Sequence, residues 1–135
     1  MNSVPFSNLT NKVIIKVVGG ERNSDILRIY CNDGSAYEML HHQDCCESVY
    51  IEDIEGDWED IIGYAITNAE EVIHDGNTLT TDDKFHLSSL ESYTWTFYKI
   101  DTRKGGITLR WLGSSNGYYS ETVNFYQTTT GIMDI

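Results

Sequence analysis

At 135 residues, with 40% apolar side chains and nine Tyr, four Phe and three Trp, the chain has the size and composition of one folded domain rather than of an acidic disordered tail. Its formal charge of −12 argues against binding to a phosphate backbone or an anionic membrane, since no cluster of Lys or Arg is present to displace counterions. No apolar run reaches the length of a membrane-spanning helix, Met1 to Thr10 lacks the basic start of a secretion signal, and three cysteines do not make a disulfide framework. Together these point to a cytoplasmic protein with Cys31, Cys45 and Cys46 as free thiols.

The dominant periodicity is two, as in half-buried strands. Val13, Ile15 and Val17 alternate and end at Gly19-Gly20. Ile26 to Cys31 and Ala36 to His42 flank Asn32-Asp33-Gly34, whose residues tolerate the positive φ of a hairpin turn. Ser48 to Ile54 reads as a strand with Val49 and Ile51 on one face and Tyr50 and Glu52 on the other. Asp57 then suits the cap of a short helix over 58–62 that stops at Gly63, with Glu59 and Asp60 at its positive end. Residues 64–74 carry apolar side chains at helical spacing, but the β-branched Ile66, Val72 and Ile73 favour a strand. Residues 75–90 have the polar composition of a long surface loop.

The last third alternates most strictly. Tyr93 to Phe97, Ile107 to Trp111 and Tyr118 to Tyr126, joined at Lys104-Gly105-Gly106 and Asn116-Gly117, read as a three-stranded meander. The expected class is α+β, mainly antiparallel β. It is a single domain over 1–135 of about seven or eight short strands with one short helix, and residues 1–10 form a flexible start.

Charge is unevenly placed. Ile29 to Asp83 holds fifteen acidic residues and no Lys or Arg, while the flanking segments are close to balanced. Such a stretch binds cations, meets a basic partner or repels itself in solvent. Within it, Glu52, Asp53, Glu55, Asp57, Glu59 and Asp60 are the candidate contacts for a basic partner, by an attraction that is long-ranged and weakened by salt.

The run His41-His42-Gln43-Asp44-Cys45-Cys46-Glu47 gathers imidazole, carboxylate and thiol, the side chains that metals prefer. The spacing is wrong for structural zinc, and on a strand His41 and His42 point to opposite faces. His42, Asp44, Cys45 and Glu47 are the candidate ligands, with Tyr118 and Glu121 added for a small-molecule or divalent-cation site that could also hydrolyse its ligand. Nearby carboxylates disfavour a thiolate at Cys45 or Cys46, so a nucleophilic role is not expected. An inert thiol pair is the main reading, and an adjacent disulfide the other. The absence of phosphate-binding, dinucleotide, zinc-hydrolase and nucleophile-elbow motifs lowers the odds of an enzyme. The sequence assigns no catalytic residue, cofactor or particular metal.

The segments Gln43-Asp44-Cys45-Cys46-Glu47-Ser48-Val49-Tyr50-Ile51-Glu52-Asp53, Glu91 to Lys99 and Ser115-Asn116-Gly117-Tyr118-Tyr119-Ser120-Glu121 resemble a small family of uncharacterised bacteriophage and prophage proteins. The resemblance implies a phage-type accessory protein in a bacterial host cell, of a kind that often inhibits host defence machinery. The functional expectation is therefore a non-enzymatic acidic protein that engages a basic host protein without contacting nucleic acid or membrane. Exposed strand edges also fit a homodimer.

Overall fold

The computed structural model describes residues 2–75, 92–115 and 119–128. Among them the chain forms nine strands: β1 (Asn2–Ser3), β2 (Ile14–Val18), β3 (Ile26–Cys31), β4 (Ala36–Leu40), β5 (Ser48–Glu55), β6 (Ile66–Asp75), β7 (Ser92–Thr102), β8 (Gly106–Ser115) and β9 (Asn124–Thr128). They pair antiparallel in two sheets, β1-β9-β4-β3-β2 and β5-β8-β7-β6.

The expected α+β class is overturned: the described residues hold no α-helix, only short 3₁₀ turns at Phe6–Leu9 and Trp58–Asp60. Asp57 does cap the second, accepting from the Glu59 N–H at 3.1 Å. The turn stops after three residues because tertiary bonds take over: the Gly63 N–H donates to the Ile14 carbonyl at 2.9 Å, and Ile61 is buried. So short a segment cannot meet the cost of helix nucleation on its own.

The β3–β4 hairpin forms as its turn residues predict. Gly34 has φ of 91°, and the Asp33 carboxylate accepts from the Ser35 N–H at 2.9 Å and from Lys12 at 2.5 Å. Residues 66–75 are a strand. Their helix-like spacing comes from a register shift between Ile66 and Asn68, which puts Ile66 and Ala69, three apart, on the buried face. A similar shift in β2 buries Ile14 and leaves Ile15 exposed, opposite to the alternation that counts Ile15 with Val13 and Val17.

The meander expected in the last third is also corrected. β7 and β8 pair, but their third partners are β6 and β5, while β9 crosses to the first sheet and lies between β1 and β4. Asn116-Gly117 lies outside the described residues, as does the expected 75–90 loop beyond Asp75. At the start of the chain, β1 pairs with β9 and both Phe6 and Leu9 are buried, so these residues are held in the fold.

The core lies between the sheets. Ile29, Tyr37 and Met39 come from the first, Ile51, Tyr98, Leu109 and Trp111 from the second. Phe6 is wedged between them, 4.7 Å from the Tyr98 ring and 5.1 Å from Phe125, which itself stacks on Tyr37 at 5.2 Å. Backbone bonds close the sandwich at two edges. Val13 bridges to Ala65, and Ile51 exchanges bonds of 2.8 Å with Asn23 and Ser24. Gly56 ends β5 at φ of 107°, where a β-carbon would sit 2.6 Å from the Gly106 carbonyl oxygen.

Leu109→Ala, at a fully buried site, is expected to cost about 2–5 kcal/mol in urea unfolding. Ile73→Ala, at an edge position 57% exposed, is expected to change stability by no more than about 0.5 kcal/mol. Equal costs would contradict this placement of the core.

Candidate functional site

Residues 41–47 carry the chain from the first sheet to the second, between the end of β4 and the start of β5. Continuing the β4 alternation, His41 shares the phase of Tyr37 and Met39 and turns inward, while His42 turns out. The side chains of His41 and Glu47 are 4% and 0% exposed. The Glu47 carboxylate accepts from the Asp44 N–H at 2.9 Å, the Cys45 N–H at 2.8 Å and His41 Nε2 at 2.7 Å. His41 Nδ1 lies 2.7 Å from the Thr122 carbonyl oxygen. The ring thus spans from the Glu47 carboxylate to the chain just before β9.

The imidazole, with the two backbone N–H groups, holds the Glu47 carboxyl down at about 2. Gln43 completes the turn, its side-chain amide donating to the carbonyls of Cys45 at 3.0 Å and Glu47 at 2.5 Å.

A second buried carboxylate, Glu121, accepts from Thr94 Oγ1 at 2.8 Å and Ser115 Oγ at 2.5 Å. It pins the segment leading to β9 against the ends of β7 and β8. Gly113 permits this approach, since a β-carbon there would lie 2.5 Å from the Glu121 carbonyl oxygen. His41 joins the two clusters through Thr122.

The residues expected to bind a ligand are thus dispersed. Glu47 and Glu121 face inward, Glu47 holding the backbone N–H groups of Asp44 and Cys45 and Glu121 the hydroxyls of Thr94 and Ser115. His42 is exposed and meets the Tyr126 hydroxyl at 2.5 Å, and the Asp44 side chain is exposed. Cys45 is bonded to Cys46, where free thiols were expected, and Tyr118 lies outside the described residues. Among the described residues no three of His, Cys, Asp or Glu converge as metal ligands. Cys31 is a buried free thiol pushed up to about 11 by burial.

The acidic series divides in two. Glu52 accepts from Arg110 Nε at 2.7 Å, and Asp53 accepts from Arg22 Nε at 2.7 Å, which holds the Asp53 carboxyl below its ordinary range. Arg110 also covers the Trp95 ring, 4.8 Å from its centre. Glu55, Asp57, Glu59 and Asp60, at the far end of β5 and on the turn after it, are exposed, and among the described residues none of them is in an ion pair. The 102–106 turn, with Arg103 and Lys104, borders this rim where Gly105 meets Asp60.

Sequence reasoning missed His41, although its phase with Tyr37 and Met39 marks it as inward. It also missed a groove of about 720 Å³ that opens beside the 41–47 turn, between the ends of β3 and β4 and the start of β5. Its walls come from segments distant in sequence, so no local motif announces it.

The architecture is that of a two-sheet antiparallel β domain whose connections are pinned by inward-facing carboxylates. The chain belongs to the family described as Domain of unknown function (DUF7448), whose model matches residues 7–125. No curated protein and no solved structure matches it.

His41→Ala removes two hydrogen bonds from a buried site and is expected to cost about 1–3 kcal/mol in chemical denaturation. The Glu47 carboxyl titrates lower in the native than in the unfolded chain. Its contribution is therefore complete above about 4.5 and is lost as pH falls towards 2. Glu47→Gln should lower the melting temperature at neutral pH and shrink the acid-side loss of stability. An unchanged acid limb would contradict the anchor.

Proposed function

We propose that this protein is a non-catalytic binding module that engages a basic protein partner through the acidic rim at Glu55, Asp57, Glu59 and Asp60. The observation that carries this reading is the division of the acidic series. Arginines from outside the acidic stretch compensate Glu52 and Asp53, while the four acids beyond them stay exposed and, among the described residues, out of ion pairs. Charges left in solvent on one end of a small domain act at a distance, steering a basic partner and raising the rate of encounter. Glu52 and Asp53 then serve chiefly to fix Arg110 and Arg22.

The resemblance to phage-encoded proteins supplies the setting. The partner is a basic host protein of the bacterial cytoplasm, and nucleic-acid-binding defence machinery offers the required charge. Carboxylates spread on a folded surface compete there with phosphates for the same basic channel.

The test combines Glu55→Gln, Glu59→Gln and Asp60→Asn, leaving Asp57 to cap its turn. From bacterial lysate the wild type should retain a basic protein at low ionic strength and release it at high ionic strength. The variant should associate with the identified protein at least about tenfold more slowly, with an unchanged melting temperature. Undiminished capture by the folded variant would sink the proposal.

A further inference from the structure

We propose that the groove beside the 41–47 turn receives a short extended peptide segment bearing a basic side chain, paired as an added strand on the free edge of β5. This goes beyond the acidic rim, which lies at the other end of β5, and does not rest on it.

The first support is an unpaired backbone. Among the described residues β5 is an edge strand, bonded within its sheet only to β8. Ile51 turns its N–H and C=O away from β8, to the Ser24 carbonyl and the Asn23 N–H, each at 2.8 Å. Peptide groups two residues apart in a strand point the same way, so Val49 presents its N–H and C=O on that same edge. No backbone bond from outside the ladder reaches Val49 among the described residues, and Val49 lines the groove. Edges of this kind are usually blunted by Pro, Lys or a covering segment. Here the covering segment stops at Ser24, one bonded pair short.

The second support is the chemistry of the walls. Ile26, Leu40 and Tyr50 give apolar and aromatic surface, and Asp25 places an exposed carboxylate at the rim. Gln43 has committed its amide nitrogen to the Cys45 and Glu47 carbonyls, which leaves its oxygen as an acceptor. Among the described residues no Lys or Arg lines the groove, and a guanidinium or ammonium finds acceptors there. The volume of about 720 Å³ falls within the ~300–1,000 Å³ range of ligand sites. The His41–Glu47 bond fixes one wall in advance, which reduces the ordering cost of binding. A donor–acceptor pair on a strand edge gives affinity for any extended backbone, and the flanking acceptors select the side chain.

The experiment titrates the ¹⁵N-labelled full chain with the peptide acetyl-Thr-Val-Arg-Val-Thr-amide and follows the Val49 amide resonance. A saturable shift at Val49 is expected. It should weaken by about tenfold or more with Glu in place of the peptide's Arg, with an analogue N-methylated at its central residues, and in Asp25→Asn. The Glu55, Glu59 and Asp60 variant should bind the peptide as the wild type does. No shift at Val49 up to millimolar peptide would overturn the proposal. So would equal binding of the N-methylated peptide, or an equal response to argininamide alone, which would make this a site for a free cation. Loss of binding in the rim variant would move the peptide to the acidic rim and equally refute the groove.

Discussion

One inward-facing carboxylate holds the join between the two sheets. The chain must leave β4 in the first sheet and enter β5 in the second within residues 41–47, and such a turn exposes backbone N–H groups that no ladder satisfies. Glu47 meets them, taking the N–H groups of Asp44 and Cys45 and one nitrogen of His41. Burying a carboxylate is costly unless it is hydrogen-bonded, and here three donors meet it. Through His41 and Thr122 the same cluster fixes the chain just before β9, so the passage out of the second sheet is tied to the passage into it.

This join gives the packed sheets their useful irregularities. Phe6, Tyr37, Tyr98, Trp111 and Phe125 fill the centre, and two short backbone bridges close the margins. Between the margin at Ile51 and the carboxylate-held turn, no described backbone segment pairs with the edge of β5, and a groove lies there. At the far end of β5 the acids Glu55, Asp57, Glu59 and Asp60 are exposed, while Arg110 and Arg22 are engaged by Glu52 and Asp53. A single strand thus carries an acidic rim at one end and an acceptor-lined groove at the other.

Much of the fold was legible because hairpins are local. Alternation from Ile26 to Leu40 with Asn-Asp-Gly between the strands fixes register and turn together. Long-range choices were not legible. Asp57 and Gly63 mark a helix start and stop, yet the Gly63–Ile14 bond and the burial of Ile61 decide in favour of a 3₁₀ turn. Strict alternation after Gly117 suggests pairing with β8, but alternation does not say which sheet a strand joins, and β9 joined the other. Adjacent acids Glu52 and Asp53 looked like neighbours in a charged face. Their cations, Arg110 and Arg22, sit 58 and 31 residues away in the chain. Glu47 was named only as one of the candidate ligands; its carboxylate is turned toward the backbone N–H groups of Asp44 and Cys45, a role that no local motif announces.

A site-resolved NMR titration of the Glu47 carboxyl carbon tests this account most directly. If the carboxylate anchors the turn in the folded chain, its midpoint will lie near 2, with the Asp44 and Cys45 amide resonances moving at the same pH. A midpoint in the ordinary glutamate range, near 4.5, with those amides indifferent to it, would show a carboxyl free in solvent and contradict the account.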